Sequence, residues 1–132
     1  MRIRFIAAAT LVILLACLGC GGVTDPSKNT TETFNGTIAP GSQGTVHTFN
    51  VSNTGEFSVK VTSMTPTYNG YFATSLGFGD GCSLVQQNTF SIVGAQALTG
   101  PIFQKGKYCV VASDVYGTMT TTETYTMTVS HP

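Results

Sequence analysis

From residue 32 onward, apolar and polar positions alternate with a period of two. The run "EFSVKVTSM" (56–64) sets Phe57, Val59 and Val61 on one side of an extended chain and Glu56, Ser58, Lys60 and Thr62 on the other. The run "ETYTMTVS" (123–130) does the same, with Tyr125, Met127 and Val129 against Thr124, Thr126 and Thr128. Between them lie "YFATSLGFG", "CSLVQQ", "TFSIVG", "AQALTG" and "KYCVVAS", and ahead of them "ETFNGTI" and "TVHTFNV". Turn-forming stretches such as "APGSQG", "SNTG" and "GDG" separate the runs. No window carries the 3.6-residue period of an amphipathic helix. Short alternating strands at this spacing predict an all-β, antiparallel sandwich or barrel.

The N-terminus follows a different rule. Arg2 and Arg4 precede an apolar run from Phe5 to Leu18, 14 residues long. As a helix it covers about 21 Å at ~1.5 Å per residue, short of a ~30 Å hydrocarbon core. A positive start, a short apolar middle and small residues at the end predict a bacterial export signal rather than a membrane span.

That signal ends in cysteine, at "LLACLGC", and so resembles the lipobox of bacterial lipoproteins. The resemblance implies that a Cys thiol takes a diacylglycerol, that the chain is cut before it, and that the new amine is acylated. More than one acyl chain is what stable anchoring requires. Two cysteines compete. Cys17 follows Leu14 and a bulky Leu15; Cys20 follows Gly19, with Cys17 where Leu is usual. The chain has four cysteines, Cys17, Cys20, Cys82 and Cys109. Lipidation at Cys20 discards Cys17 and leaves an even pair, whereas lipidation at Cys17 leaves an odd thiol in an oxidising compartment. Cys20 is therefore favoured, with Cys17 as the alternative. Gly21, rather than Asp, follows Cys20, which by the same resemblance implies the outer membrane.

The expected organisation is a signal over residues 1–19, a lipidated N-terminus and tether over 20–31, and one β domain over 32–132. The tether "GGVTDPSKNT" has no periodicity, and ten such residues reach roughly 17 Å.

Composition narrows the function classes. Charged residues make up 9% of the chain, against about 25% in typical soluble proteins. Beyond Arg2 and Arg4, four Lys face six Asp and Glu. With no basic patch, nucleic acid is not an expected partner. The 22 threonines suit strands with one wet face.

The runs "HTFNV", "GEFSVKVTS", "GKYCVVAS" and "TYTMTVS" together resemble the bacterial pre-peptidase C-terminal domain, across roughly residues 33–130. That family consists of small jelly-roll-like β-sandwiches, appended to secreted proteases or found alone in envelope proteins. It implies about eight strands here. The family's acidic residues in the middle strand are missing from "YFATSLGFG", and with them the basis for a calcium role. The cysteine pair is an addition to the pattern.

In an oxidising compartment, Cys82 and Cys109 read as a disulfide, and closing that loop is worth ~3.5 kcal/mol by chain entropy. Neither belongs to a CxxC motif, so metal binding and thiol catalysis are disfavoured. His47 shares a strand face with Phe49 and Val51 and is expected to pack; His131, second from the end, is expected to be mobile. No Gly-x-Ser-x-Gly elbow is present. Calcium would require loops that bring Asp80 and Asp114 together. No catalytic residue, metal ligand or cofactor is assigned.

The remaining signal is aromatic. "TPTYNGYF" places Tyr68 and Tyr71 around a turn, and "SDVYGT" places Tyr116 in another. Loop tyrosines can stack on sugar rings or anchor a protein partner, although for any single one packing is the commoner role, with Tyr71 starting a strand and Tyr116 covering a sheet edge. The expectation is a lipid-anchored, non-catalytic envelope sandwich that binds a polysaccharide or a protein, with Tyr68 and Tyr116 ahead of Tyr71. A self-assembling structural envelope component is the alternative, and a small hydrolase comes third.

Overall fold

The structure is a computed structural model that describes residues 26–132. The export segment, Cys17, Cys20 and most of the tether lie outside the described residues. Eight strands follow a short 3₁₀ turn at Pro26–Lys28: β1 (Thr30–Ile38), β2 (His47–Val51), β3 (Gly55–Thr65), β4 (Phe72–Phe78), β5 (Ser83–Ser91), β6 (Gln96–Ile102), β7 (Gly106–Ser113) and β8 (Glu123–His131). They form two four-stranded antiparallel sheets, ordered β1-β8-β3-β6 and β2-β7-β4-β5. Only the β4–β5 hairpin stays within one sheet; every other connection crosses to the opposite one. This is the winding of an eight-stranded jelly roll.

Alternation builds the core as the sequence predicts. Phe57, Val59 and Val61 of β3 and Tyr125, Met127 and Val129 of β8 are buried between the sheets. Each such side chain contributes roughly 1.5–3 kcal/mol by leaving water. A bulge between Val61 and Ser63 shifts the β3 register, so that Met64 takes the next inward place. On the other face of this sheet, β1 and β8 set Thr33 opposite Thr128 and Thr37 opposite Thr124, which puts the threonines in water.

Two expectations need correction. The runs "CSLVQQ" and "TFSIVG" are not separate strands but parts of one, β5. It carries register shifts against β4 near both ends, between Leu76 and Gly77 and between Phe72 and Thr74. These bulges break the period of two and make one strand read as two. His131 is not mobile: it is 4% exposed, its Nε2 lies 2.9 Å from Glu32 Oε1, and its ring packs on Phe49. Pairing of β8 with β1 over their whole length carries it there.

The predicted disulfide joins Cys82 to Cys109, with Cα atoms 5.8 Å apart. It links the end of the β4–β5 turn to mid-β7 across Gly77. A Cβ on Gly77 would sit 2.7 Å from Cys109 Sγ and 2.8 Å from Cys82 Sγ, so only glycine fits under the bridge.

Candidate functional site

The outer face of the β2-β7-β4-β5 sheet holds two adjoining hollows. On β4, Phe72 and Leu76 join the core, so the residues between them, Ala73 and Ser75, and then Gly77, turn to the outer face. All are small, and the sheet is low there. On β5, regular alternation would not keep one set of side chains outward. The two bulges do: Leu84 pairs with outward Gly77, Gln87 with outward Ser75, and Phe90 precedes Ser91, the partner of inward Phe72. Outward residues on β5 thus recur every third position.

The first hollow is a groove of about 370 Å³ whose floor includes Ser75 and Gly77, with Leu84 and Gln87 on one side and Ser113 and Val115 on the other. Gln87 Nε2 donates to Ser75 Oγ at 2.9 Å. Among the described residues, Gln87 Oε1 and the Ser113 hydroxyl have no protein hydrogen-bond partner.

The second hollow is a cleft of about 600 Å³ lined by Tyr68, Gly70, Tyr71, Phe90, Tyr116 and Thr118. The structure therefore brings Tyr68, Tyr71 and Tyr116 together, although they come from two separate loops. It adds Phe90, which the sequence reading did not single out. Phe90 meets Tyr71 edge-on at 5.8 Å and Tyr116 at a tilt at 6.2 Å. Tyr71, Phe90 and Tyr116 are 56%, 66% and 46% exposed. Tyr68 differs. It packs against the core, and its hydroxyl lies 2.6 Å from Thr118 Oγ1 and within reach of the Tyr71 carbonyl, so it supports the cleft from beneath. By exposure, Tyr71 and Tyr116 lead. Ala73, on β4 between Tyr71 of the cleft and Ser75 of the groove, is fully buried and lines neither hollow.

Asp114 fixes the rim. Its Oδ2 accepts the Gly41 and Met119 N–H groups at 2.8 and 3.1 Å, and its Oδ1 accepts the Thr118 N–H at 3.1 Å. One buried carboxylate thus ties the 39–44 loop to the turn that carries Tyr116. Burial disfavours its charge, but the N–H groups of Gly41, Thr118, Met119 and Gly117 outweigh burial and hold its pKa below the ordinary carboxylate value. Asp80 is elsewhere, paired with Lys107 at 3.0 Å at the opposite end of β7, so the loops do not bring Asp80 and Asp114 together. Among the described residues, no three His, Cys, Asp or Glu side chains cluster as metal ligands would.

His47 lies in the same sheet, at the start of its far edge strand β2. Its ring stacks on Phe34, and its Nε2 is 3.0 Å from Tyr125 Oη. Tyr125 donates its one proton to Thr45 O at 3.0 Å, so His47 Nε2–H serves as donor to the phenol. Burial lowers the His47 pKa and raises that of Tyr125 to about 12. This pair packs a strand edge, as the sequence position of His47 suggested. A Cβ on Gly36 would come within 2.6 Å of the Tyr125 hydroxyl, which shows how closely the backbone of β1 covers the pair.

No protein-family model matches the chain, and no curated protein matches it. Among solved structures it is similar to one described in the words "Bacillus endospore appendages form a novel family of disulfide-linked pili", with 14% identity over 86% of this chain and 95% of that chain and a TM-score of 0.39.

Proposed function

We propose that this protein is a non-catalytic binding module held on the bacterial envelope by lipid, at Cys20 or alternatively Cys17, and that the aromatic cleft is its ligand surface. The carrying observation is the convergence of Tyr71, Phe90 and Tyr116, three exposed rings from three chain segments, on one face of a disulfide-stapled scaffold. A contiguous patch of exposed rings marks an interaction surface, and binding residues are usually carried on loops positioned by a rigid scaffold. The outer membrane, facing either the periplasm or the cell exterior, is the proposed location, on the lipobox resemblance alone. No catalytic role is proposed for His47, whose Nε2 is already bonded to Tyr125.

The test is retention from intact envelopes by the full-length lipidated protein. The double variant Tyr71→Ala/Tyr116→Ala should lose the retained partner while melting within a few degrees of wild type, because exposed side chains contribute little to folding. Unchanged retention sinks the reading. Cys20→Ser should move the protein out of the detergent phase, whereas loss only with Cys17→Ser moves the anchor to Cys17.

One observation favours the alternative, lateral self-assembly. β5 is an edge strand with Leu84 and Val85 at 65% and 58% exposure, and an apolar edge invites strand pairing. The neighbouring edge, β6, is covered: Gln86 and Asn88 donate to the carbonyls of Thr99 and Ala97. Concentration-dependent sedimentation that Val85→Lys abolishes would support assembly over ligand binding.

A further inference from the structure

Building on the binding-module reading, we infer that the ligand is an uncharged polysaccharide chain that stacks on the aromatic cleft and continues into the adjoining groove. Three features of the face carry this. The first is adjacency. Both walls run from one hollow to the other without leaving their own segment: Gln87 lines the groove and Phe90 the cleft on β5, and Val115 and Tyr116 are consecutive. From Tyr71 to Gly77 the path covers about 20 Å at strand rise, several sugar rings long.

The second feature is charge. None of the four lysines lines either hollow, and the described residues contain no arginine. The single carboxylate at the groove, Asp114, has both oxygens taken by main-chain N–H groups. An anionic chain would find no cation here, and a cationic one no free anion. The third is the division of chemistry. Rings stack on the apolar faces of pyranoses, while neutral amides and hydroxyls exchange hydrogen bonds with the equatorial groups. The cleft supplies the rings, and the groove supplies Gln87 Oε1 and the Ser113 hydroxyl, which have no protein partner among the described residues. Leu84 and Val115 give the groove apolar sides as well, onto which the apolar faces of further sugar rings pack.

The experiment is native-gel affinity electrophoresis of the purified protein in gels that hold dextran, mannan, a β-1,3-glucan, a β-1,4-glucan or a polymer of N-acetylglucosamine, with alginate and polygalacturonate as anionic controls. At least one neutral polymer should retard the protein and neither anionic polymer should do so. Tyr71→Ala should weaken that interaction about tenfold. Gln87→Ala should weaken long chains about fivefold, the value of one neutral hydrogen bond, and leave a disaccharide of the same sugar unaffected. No retardation by any neutral polymer overturns the inference, as does equal retardation by the anionic ones. A loss with Tyr71→Ala but none with Gln87→Ala on long chains confines the ligand to the cleft and overturns the path through the groove. If envelope retention still depends on Tyr71 and Tyr116 while no neutral polymer binds, the module binds a protein and only this inference fails; if retention fails as well, both readings fall.

Discussion

Replacing Asp114 with Asn tests whether one buried carboxylate holds the aromatic face together. The side chain is 2% exposed and receives three main-chain N–H groups at 2.8, 3.1 and 3.1 Å. Asparagine keeps one oxygen. With that oxygen in place of Oδ2, the Gly41 and Met119 bonds survive as neutral ones, at a cost of about 1 kcal/mol each. The amide NH₂ then faces the Thr118 N–H, and a donor left without an acceptor costs about 1–3 kcal/mol. The expected loss is about 3–5 kcal/mol, a large share of the ~5–15 kcal/mol typical of a domain. Urea unfolding followed by tyrosine fluorescence measures it. The pH dependence supplies an independent check. The folded pKa of Asp114 lies below its unfolded value. Its stabilisation is therefore complete above the unfolded carboxylate pKa of about 3.9 and is lost as pH falls through the lower folded value. Wild type and Asp114→Asn should converge in stability as pH drops from about 5 to about 2, because protonated Asp114 resembles asparagine. A loss below about 1 kcal/mol at neutral pH, or a gap that does not narrow on acidification, refutes the clamp.

Further outcomes are expected at the disulfide and at Tyr125. Opening the disulfide by Cys82→Ser or Cys109→Ser should cost roughly 2–5 kcal/mol, and Gly77→Ala should act similarly by pushing a methyl between the two sulfurs. Non-reducing peptide maps and urea midpoints check both, and wild-type stability in Gly77→Ala would contradict the packing. For Tyr125, the folded pKa is raised to about 12, so its contribution is complete below the unfolded value of about 10 and is lost as pH rises through the folded one. An ultraviolet titration should show a phenol ionising near the alkaline unfolding transition, and Tyr125→Phe should remove it at a cost of about 1–2 kcal/mol for the lost bonds to Thr45 and His47.

The strands were legible because each is a local fact. Alternation in "EFSVKVTSM" and "ETYTMTVS" reports which side chains turn inward, and no partner strand is needed to see it. The Cys82–Cys109 bridge was legible for a similar reason, since two cysteines remain in the β domain and leave a single pairing. Neither signal says which strand lies beside which. Thr30 pairs with His131, a contact between the two ends of the domain, and that pairing buries the histidine that its terminal position had suggested was free. The candidate site was half legible. Turn residues around Tyr68, Tyr71 and Tyr116 marked them as loop aromatics, but a loop tyrosine reads the same whether it props a cleft from beneath or faces water. Only packing against the core separates Tyr68 from the other two. Phe90 and Gln87 were not legible at all. Their outward placement depends on two bulges in β5, and a bulge shows itself only when a strand is laid against its neighbour. Local periodicity thus determined the all-β class and most of the strands, while the non-local register of β4, β5 and β7 decided that β5 is one strand and that four aromatic rings and a groove share one face.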